Sequence, residues 1–346
     1  MPSSLILAAI GVQLEGIALA VATFTINFAV SMIVTRLFAD GPQQQQDNGV
    51  RQQVPPATDN SIPVVYGDAY LGGTFVDAVL STDQKTMYYV LAISSISPNG
   101  QFSYDQTKMY WADQLITFDS TDKTQVVSVT DGAGNVDTKV NGKIHINLYT
   151  SSATGVITST NGAPAPSVVM GGSDIAAAQR WTGTRQMNGL AFAIVKLDYS
   201  QDAGTTQMQA ITFHVSHYLN GAGAAVPGDV WYDYLTNTVY GGAMDASLVN
   251  SASATALNTY SNQTIPYTNS SGVLTSQPRY RINGVIDTGQ NVLSNIDQIL
   301  IACDSWNQYN AATGQWTAVI NKAESTSFAF DDTNIMGEIK VSALDI

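Results

Sequence analysis

The chain has 346 residues, of which 45% are hydrophobic and only 12% charged, and 14 Lys plus Arg face 27 Asp plus Glu for a formal net charge of −13. This acidic balance argues against a nucleic-acid groove binder, and ample apolar content with sparse charge argues against disorder. The single cysteine, Cys303, rules out a disulfide-stapled module, and with only His145, His214 and His217 beside it no structural zinc site is expected.

Residues 5–34 form the sharpest shift in composition, with Glu15 as their one ionisable group before Arg36. The start lacks the basic region of a secretory signal, and the run is long for one. Residues 17–34 reach the lower limit of a membrane span, though Asn27 and the threonines weaken it. The stretch at residues 23–28 alternates with period two, so a strand is open there too. Left in water the segment would be a large apolar patch, so it implies a partner. Ile17, Leu19, Phe24, Phe28 and Ile33 are its candidate contacts with a membrane or with protein. Residues 1–38 are therefore read as an apolar N-terminal segment and residues 39–60, rich in Gln and Pro, as a polar linker.

The body from residue 61 reads as β-rich. A short apolar strand at residues 62–67 closes on Gly67, Gly72-Gly73 marks a turn or bulge, and Thr74-Phe75-Val76 resumes. Residues 87–93 are apolar without alternation, which fits a strand buried on both faces. Residues 99–185 are polar and turn-dense, and within them residues 143–149 alternate as a half-exposed strand. A helix is expected at residues 173–181 with a Ser/Asp cap. Residues 189–197 give a second buried strand, and residues 212–216 another.

Pro227-Gly228-Asp229 is expected to open a helix capped by Asp229, with Val230, Trp231, Tyr234 and Leu235 on one face and Tyr240-Gly241-Gly242 as its stop. Residues 246–260 are a weaker helix candidate, and residues 279–287 read as a strand. Residues 291–306 form the best helix in the chain, with Val292, Ile296, Ile299, Leu300 and Cys303 on one face. A strand at residues 316–320 follows a turn at Gly314. The expected fold is mainly β with α+β elements and a few short helices.

No catalytic set stands out. There is no nucleophile elbow, no P-loop and no HExxH zinc motif. His214 and His217, three apart in a strand-like run, would point to opposite faces and share no metal. Asp331-Asp332 lies in a polar turn, and Cys303 on an apolar helix face reads as a buried, inert thiol. Most aromatics fall in core patterns, while Tyr104, Tyr110 and Trp111 in a polar stretch are candidates for an exposed contact surface. The expectation is no enzymatic activity, no cofactor and no metal.

Four blocks carry a resemblance. They are residues 60–67 with Gly72-Gly73, the strand at residues 88–92, residues 229–237 with Tyr240-Gly241, and residues 280–287 with the helix to Cys303 and Gly314-Gln315-Trp316. In this order they resemble the hub region of lambda-type central tail-tip proteins, the tip attachment or host specificity proteins of long-tailed phages. The motif positions are Ile62, Pro63, Val65, Tyr66, Gly67, Leu235, Thr236, Asn237, Tyr240, Gly241, Asn283 and Gly284. The most specific is the L-T-N-x-x-Y-G run that starts at Leu235.

The resemblance implies β-rich phage tail hub domains: a first domain at residues 61–220 with a turn-rich insertion at about 99–185, and a second α+β region at residues 221–346, incomplete at its end. It implies a virion protein of the tail tip that forms a homotrimer around the DNA-ejection channel. The implied partners are the distal tail protein ring, the C-terminus of the tape-measure protein, other tail-tip proteins, and DNA that passes without specific binding. A negative lumen would let phosphate slide past. The apolar start has no place in the hub pattern and is expected against the tape measure or in the host membrane. The alternative is a secreted or surface-anchored bacterial β-protein held by an N-terminal membrane segment.

Overall fold

The structure, a computed structural model, describes residues 61–221, 223–323 and 337. The apolar start with its five candidate contacts, the linker and Asp331-Asp332 lie outside the described residues. The fold is mainly β with α+β elements. Its first half runs β1 (Val64–Leu71), β2 (Thr74–Leu80), β3 (Thr86–Ser95), β4 (Gly100–Tyr104), β5 (Tyr110–Trp111), β6 (Gln114–Phe118), β7 (Val126–Thr130), β8 (Val136–Asp137), β9 (Ile144–Ser151) and β10 (Ile157–Ser159). A four-residue helix α1 (Pro166–Val169) leads to β11 (Leu190–Asp198) and β12 (Ile211–Leu219). The second half holds α2 (Pro227–Thr236), α3 (Ser251–Asn262), the hairpin β13 (Thr264–Thr268) and β14 (Leu274–Pro278), β15 (Gly284–Ile286), α4 (Val292–Ile301), and the hairpin β16 (Ser305–Asn310) and β17 (Gln315–Ile320).

One large sheet has the order β10-β9-β11-β3-β1-β12-β5-β6-β7-β8, with β2 on β3, β4 on β12 and β15 on β1. Just before β7, Gln125 bridges to His145 of β9, and the Ile146 amide donates to the Thr124 carbonyl at 2.8 Å. The sheet thus curls back on itself. Alternate residues face the interior: Met87, Tyr89, Leu91 and Ile93 from β3, Ala191, Ala193, Val195 and Leu197 from β11, and Phe213 and Val215 from β12. The outward residues Tyr88, Val90, Tyr149, Phe192 and Ile194 are covered in turn by Ala163, Met170, Ile175 and Trp181. Both faces are dry, so β3 and β11 carry apolar runs without alternation. Each such side chain contributes roughly 1.5–3 kcal/mol on burial.

A second core lies beside this barrel. Val230, Trp231, Tyr234 and Leu235 of α2 pack with Leu257 of α3, Ile296, Ile299 and Leu300 of α4, Cys303 and Ala318. Strand β1 belongs to both cores. Val65 faces the barrel interior, whereas Val64 and Tyr66 face the helices. Its first three residues pair with β15, and from Gly67 onward it pairs with β12.

Several expectations need correction. β1 does not end at Gly67 but runs on to Leu71. β9 is a strand but not half-exposed, because the covering layer and β10 bury it, and even Asn147 donates to the Ile194 carbonyl at 3.0 Å. No α-helix forms at residues 173–181, only a 3-10 turn at Ala177–Gln179. There the Asp174 carboxylate accepts from the Tyr88 hydroxyl and its carbonyl from the Thr82 amide, so the segment is used as a cover. Asp229 is not the cap of α2. The cap position is Val226, and Asp229 sits in the first turn, where its carboxylate accepts from Asn258. That helix also stops earlier than expected, at Thr236. The best helix ends at Ile301, and Trp306 already belongs to β16. The strand expected at residues 279–287 shrinks to Gly284–Ile286. Trp111 is part of the barrel core, and the Tyr104 hydroxyl is spent on the Tyr149 and Phe192 carbonyls, so neither offers an exposed contact surface.

Candidate functional site

The densest polar cluster lies where the barrel meets the helices. Asp233 sits on α2 beside the buried face formed by Val230, Trp231, Tyr234 and Leu235. Its Oδ2 accepts from the Tyr66 hydroxyl at 2.7 Å and from the Tyr240 hydroxyl at 2.6 Å, and its Oδ1 accepts from Ser97 Oγ at 2.7 Å. One carboxylate therefore ties together β1, the turn after β3, α2 and the turn after α2. Hydrogen bonds to an ionised acceptor are about twice as strong as neutral ones. Burial, then the neighbouring Tyr240 and Asp233, holds the Tyr66 phenol well above its ordinary range. Burial and Asp233 do the same to Tyr240. Both phenols stay protonated, so both stay donors.

His217 completes the cluster from β12. Its Nδ1 lies 2.6 Å from the Val65 carbonyl, and the Ser97 amide donates to its Nε2 at 3.3 Å. A carbonyl can only accept and an amide N–H can only donate. The ring is therefore the neutral tautomer with its proton on Nδ1. Burial holds it below the ordinary histidine value, against the Val65 bond and Asp233, which both favour the charged form. His214, on the opposite face of the strand, lies 3.5 Å from Asp105, but burial and Lys108 outweigh that carboxylate and lower its pKa, so the contact is no firm ion pair at neutral pH.

Of the twelve motif positions, all but Thr236 lie on the strand, turns and helix end that border this cluster. Gly67 has φ +72°, and a Cβ there would meet the Ile282 carbonyl and the Asn283 side chain. The Asn283 Oδ1 accepts from the Asp68 amide at 3.0 Å, and Gly284 pairs with Tyr66. The Ile62 carbonyl accepts from the Thr288 hydroxyl, and the Pro63 carbonyl from the Ser95 amide. Leu235 is buried and its carbonyl accepts from the Met244 amide. The Asn237 Oδ1 accepts from the amides of Val239 and Tyr240 and so shapes the turn that aims Tyr240 at Asp233. A Cβ on Gly241 would collide with the Tyr234 carbonyl. Thr236 stays apart from the network, since its hydroxyl donates back to the Tyr232 carbonyl of its own helix. Asp233, Ser97 and His217 were missed as a set. Asp233 could have been suspected, as a lone carboxylate between the buried Trp231 and Tyr234.

A cleft of about 270 Å³ opens beside the cluster, lined by Ser97, Asn99, Asp229, Asp233, Ser251 and Thr255 among others. Asp233 is engaged by three hydroxyls and Asp229 by Asn258, so the chemistry here is that of a joint between two cores. Among the described residues no group of three or more His, Cys, Asp or Glu side chains is arranged to hold a metal ion. Cys303 is buried in the turn after α4, and burial pushes its thiol up to about 11, which leaves it unreactive. No described helix is long and apolar enough to cross a membrane.

No family model matches the chain, and no curated protein matches it. Among solved structures, a chain from the virion of a native gene transfer agent particle is similar over 59% of this chain, at 14% identity and a TM-score of 0.25. The match covers 39% of that chain, and at this score it carries no argument about function.

Proposed function

We propose that the chain is a structural subunit of a virion, and more specifically a hub subunit of a long-tailed phage tail tip. In this reading three copies surround the DNA-ejection channel beneath the distal tail protein ring, contact the tape-measure protein and other tip proteins, and contribute to host attachment and genome delivery without enzymatic chemistry. One observation carries the reading. Three of the four segments on which the resemblance rests, far apart in the chain, pack around a single junction at Gly67 and Asp233. A hub that must hold two differently built regions in fixed relation needs such a junction. The acidic balance supports passage of DNA without adhesion.

The test is a cryo-EM reconstruction of the particle that contains the chain. Three copies on the tail axis beneath a six-fold ring are expected, with acidic groups toward the lumen. Absence of the chain from any tail would overturn the proposal and favour a protein anchored by residues 1–38. A basic lumen would overturn the sliding argument alone.

A further inference from the structure

We infer that His217 is an acid-sensitive latch between the barrel and the helical layer: a proton on its Nε2 expels the Ser97 amide and loosens the turn at residues 97–100 from α2, while both cores stay folded. The inference does not depend on the tail-tip reading.

The geometry leaves the ring no alternative partner arrangement. His217 is fully buried, with its Nδ1 against the Val65 carbonyl of β1 and its Nε2 against the Ser97 amide. A second proton would set two donors against each other, Nε2–H against the Ser97 N–H. The turn from Ser97 to Gly100 wraps the ring so closely that a Cβ on Gly100 would collide with Nε2. The Tyr66 ring stacks on the imidazole at 6.0 Å, and Phe102 of β4 closes in at 5.9 Å. The ring is walled in, so it cannot swing away to relieve the conflict.

The groups that face the imidazole come from every neighbouring element. Tyr66 on β1 and Tyr240 after α2 are phenols held neutral, Phe102 and Gly100 of β4 carry no charge, and Asp233 on α2 is the charged group that acts on the ring. An imidazolium at this position is drawn to Asp233, the same carboxylate that holds Ser97 Oγ. Ser97 therefore loses its amide bond to the ring, and its hydroxyl bond to Asp233 has to compete with the new charge. Those bonds, with Tyr66 and Tyr240, are the polar ties between the cores at this point. The apolar interiors on either side contain no group that responds to this proton.

The test is amide hydrogen exchange on the full chain at pH 7.5 and pH 5, corrected for the intrinsic pH dependence of exchange. Below about pH 6.5, where the ring takes a proton in the opened state but not in the closed one, peptides that cover residues 97–100 and α2 are expected to lose protection by up to about tenfold per pH unit, while β3, β9 and β11 keep theirs. His217→Gln removes that step, and the pair His145→Gln with His214→Gln leaves it in place. Imidazole nitrogen NMR on the unaltered chain supplies a readout that needs no variant. It is expected to find the Nδ1-protonated tautomer at pH 7.5. A proton on Nε2 at that pH, uniform loss of protection across barrel and helices, or a step that survives His217→Gln would each overturn the latch.

Discussion

The barrel and the helical layer are held by different means. In the barrel, strands β3, β9 and β11 are covered on both faces, and a large apolar cluster fills the interior. The helical layer is dry on one side only. α3 exposes half of its residues, α4 exposes Leu293 and Ile301, and the β13–β14 hairpin is largely exposed. An isolated two-stranded hairpin is marginal in water. The barrel thus supplies rigidity by area, and the helical layer depends on its attachment. That attachment is polar and directional, centred on one carboxylate and one neutral imidazole. Apolar packing tolerates small displacements, but five hydrogen bonds to fixed atoms do not, so the joint sets orientation where the cores set stability.

The two cores are expected to answer differently to the loss of a large side chain. Trp231→Ala and Phe213→Ala each remove a fully buried ring and are expected to cost about 3–5 kcal/mol. Denaturant unfolding followed by exchange should place the first loss in α2–α4 and the second in the barrel. If both variants lose protection everywhere alike, the cores are one cooperative unit.

Gly67→Ala strikes where the two regions share β1. The positive φ and the collision with Ile282 and Asn283 predict a loss of roughly 3 kcal/mol. A urea midpoint close to that of the parent chain would show that β1 can shift at this point. Asp233→Asn keeps the shape but removes the charge that three hydroxyls share, for roughly 2 kcal/mol. Its signature is a separation of the barrel and helix transitions.

Acid should weaken the fold in a defined direction. Burial depresses all three histidines, His145, His214 and His217, below the ordinary value. The unfolded chain therefore takes up protons first as pH falls through about 6.5, and stability is lost from there downward toward the folded values. Thermal midpoints at pH 7.5, 6.5 and 5 should decline in that order; a midpoint that rises on acidification contradicts the assignment of neutral, buried rings. The smallest effect is expected at a helix cap. Asn250 accepts from the Ser253 amide at the start of α3, and Asn250→Ala should cost about 1 kcal/mol, confined to that helix.

Much of the architecture was legible where one residue pattern has one structural solution. The apolar runs at residues 87–93 and 189–197 became β3 and β11, and the faces of α2 and α4 point where their spacing puts them. Misreadings arose where polar residues were taken as signs of solvent. His145 and Asn147 alternate with isoleucines, yet a layer more distant in the chain covers them. Asp174 and Asp229 look like caps, but each is held by a group from another element, Tyr88 and Asn258. Trp111 and Tyr104, set among polar neighbours, are claimed by the barrel.

The amino-acid order by itself determined the β-rich class, the positions of the buried strands, the apolar stripes of two helices and the inert thiol of Cys303. Each follows from local periodicity, because burial on one or both faces leaves a repeat that needs no knowledge of the partner. Only the tertiary structure decided that β7 returns to β9, that β1 serves two cores, and that Tyr66, Ser97, His217, Asp233 and Tyr240 meet. The bond from Tyr66 to Asp233 alone spans 167 positions along the chain. A hydrogen bond between groups so far apart leaves no periodic trace, and its chemistry appears only once folding has brought donor and acceptor together.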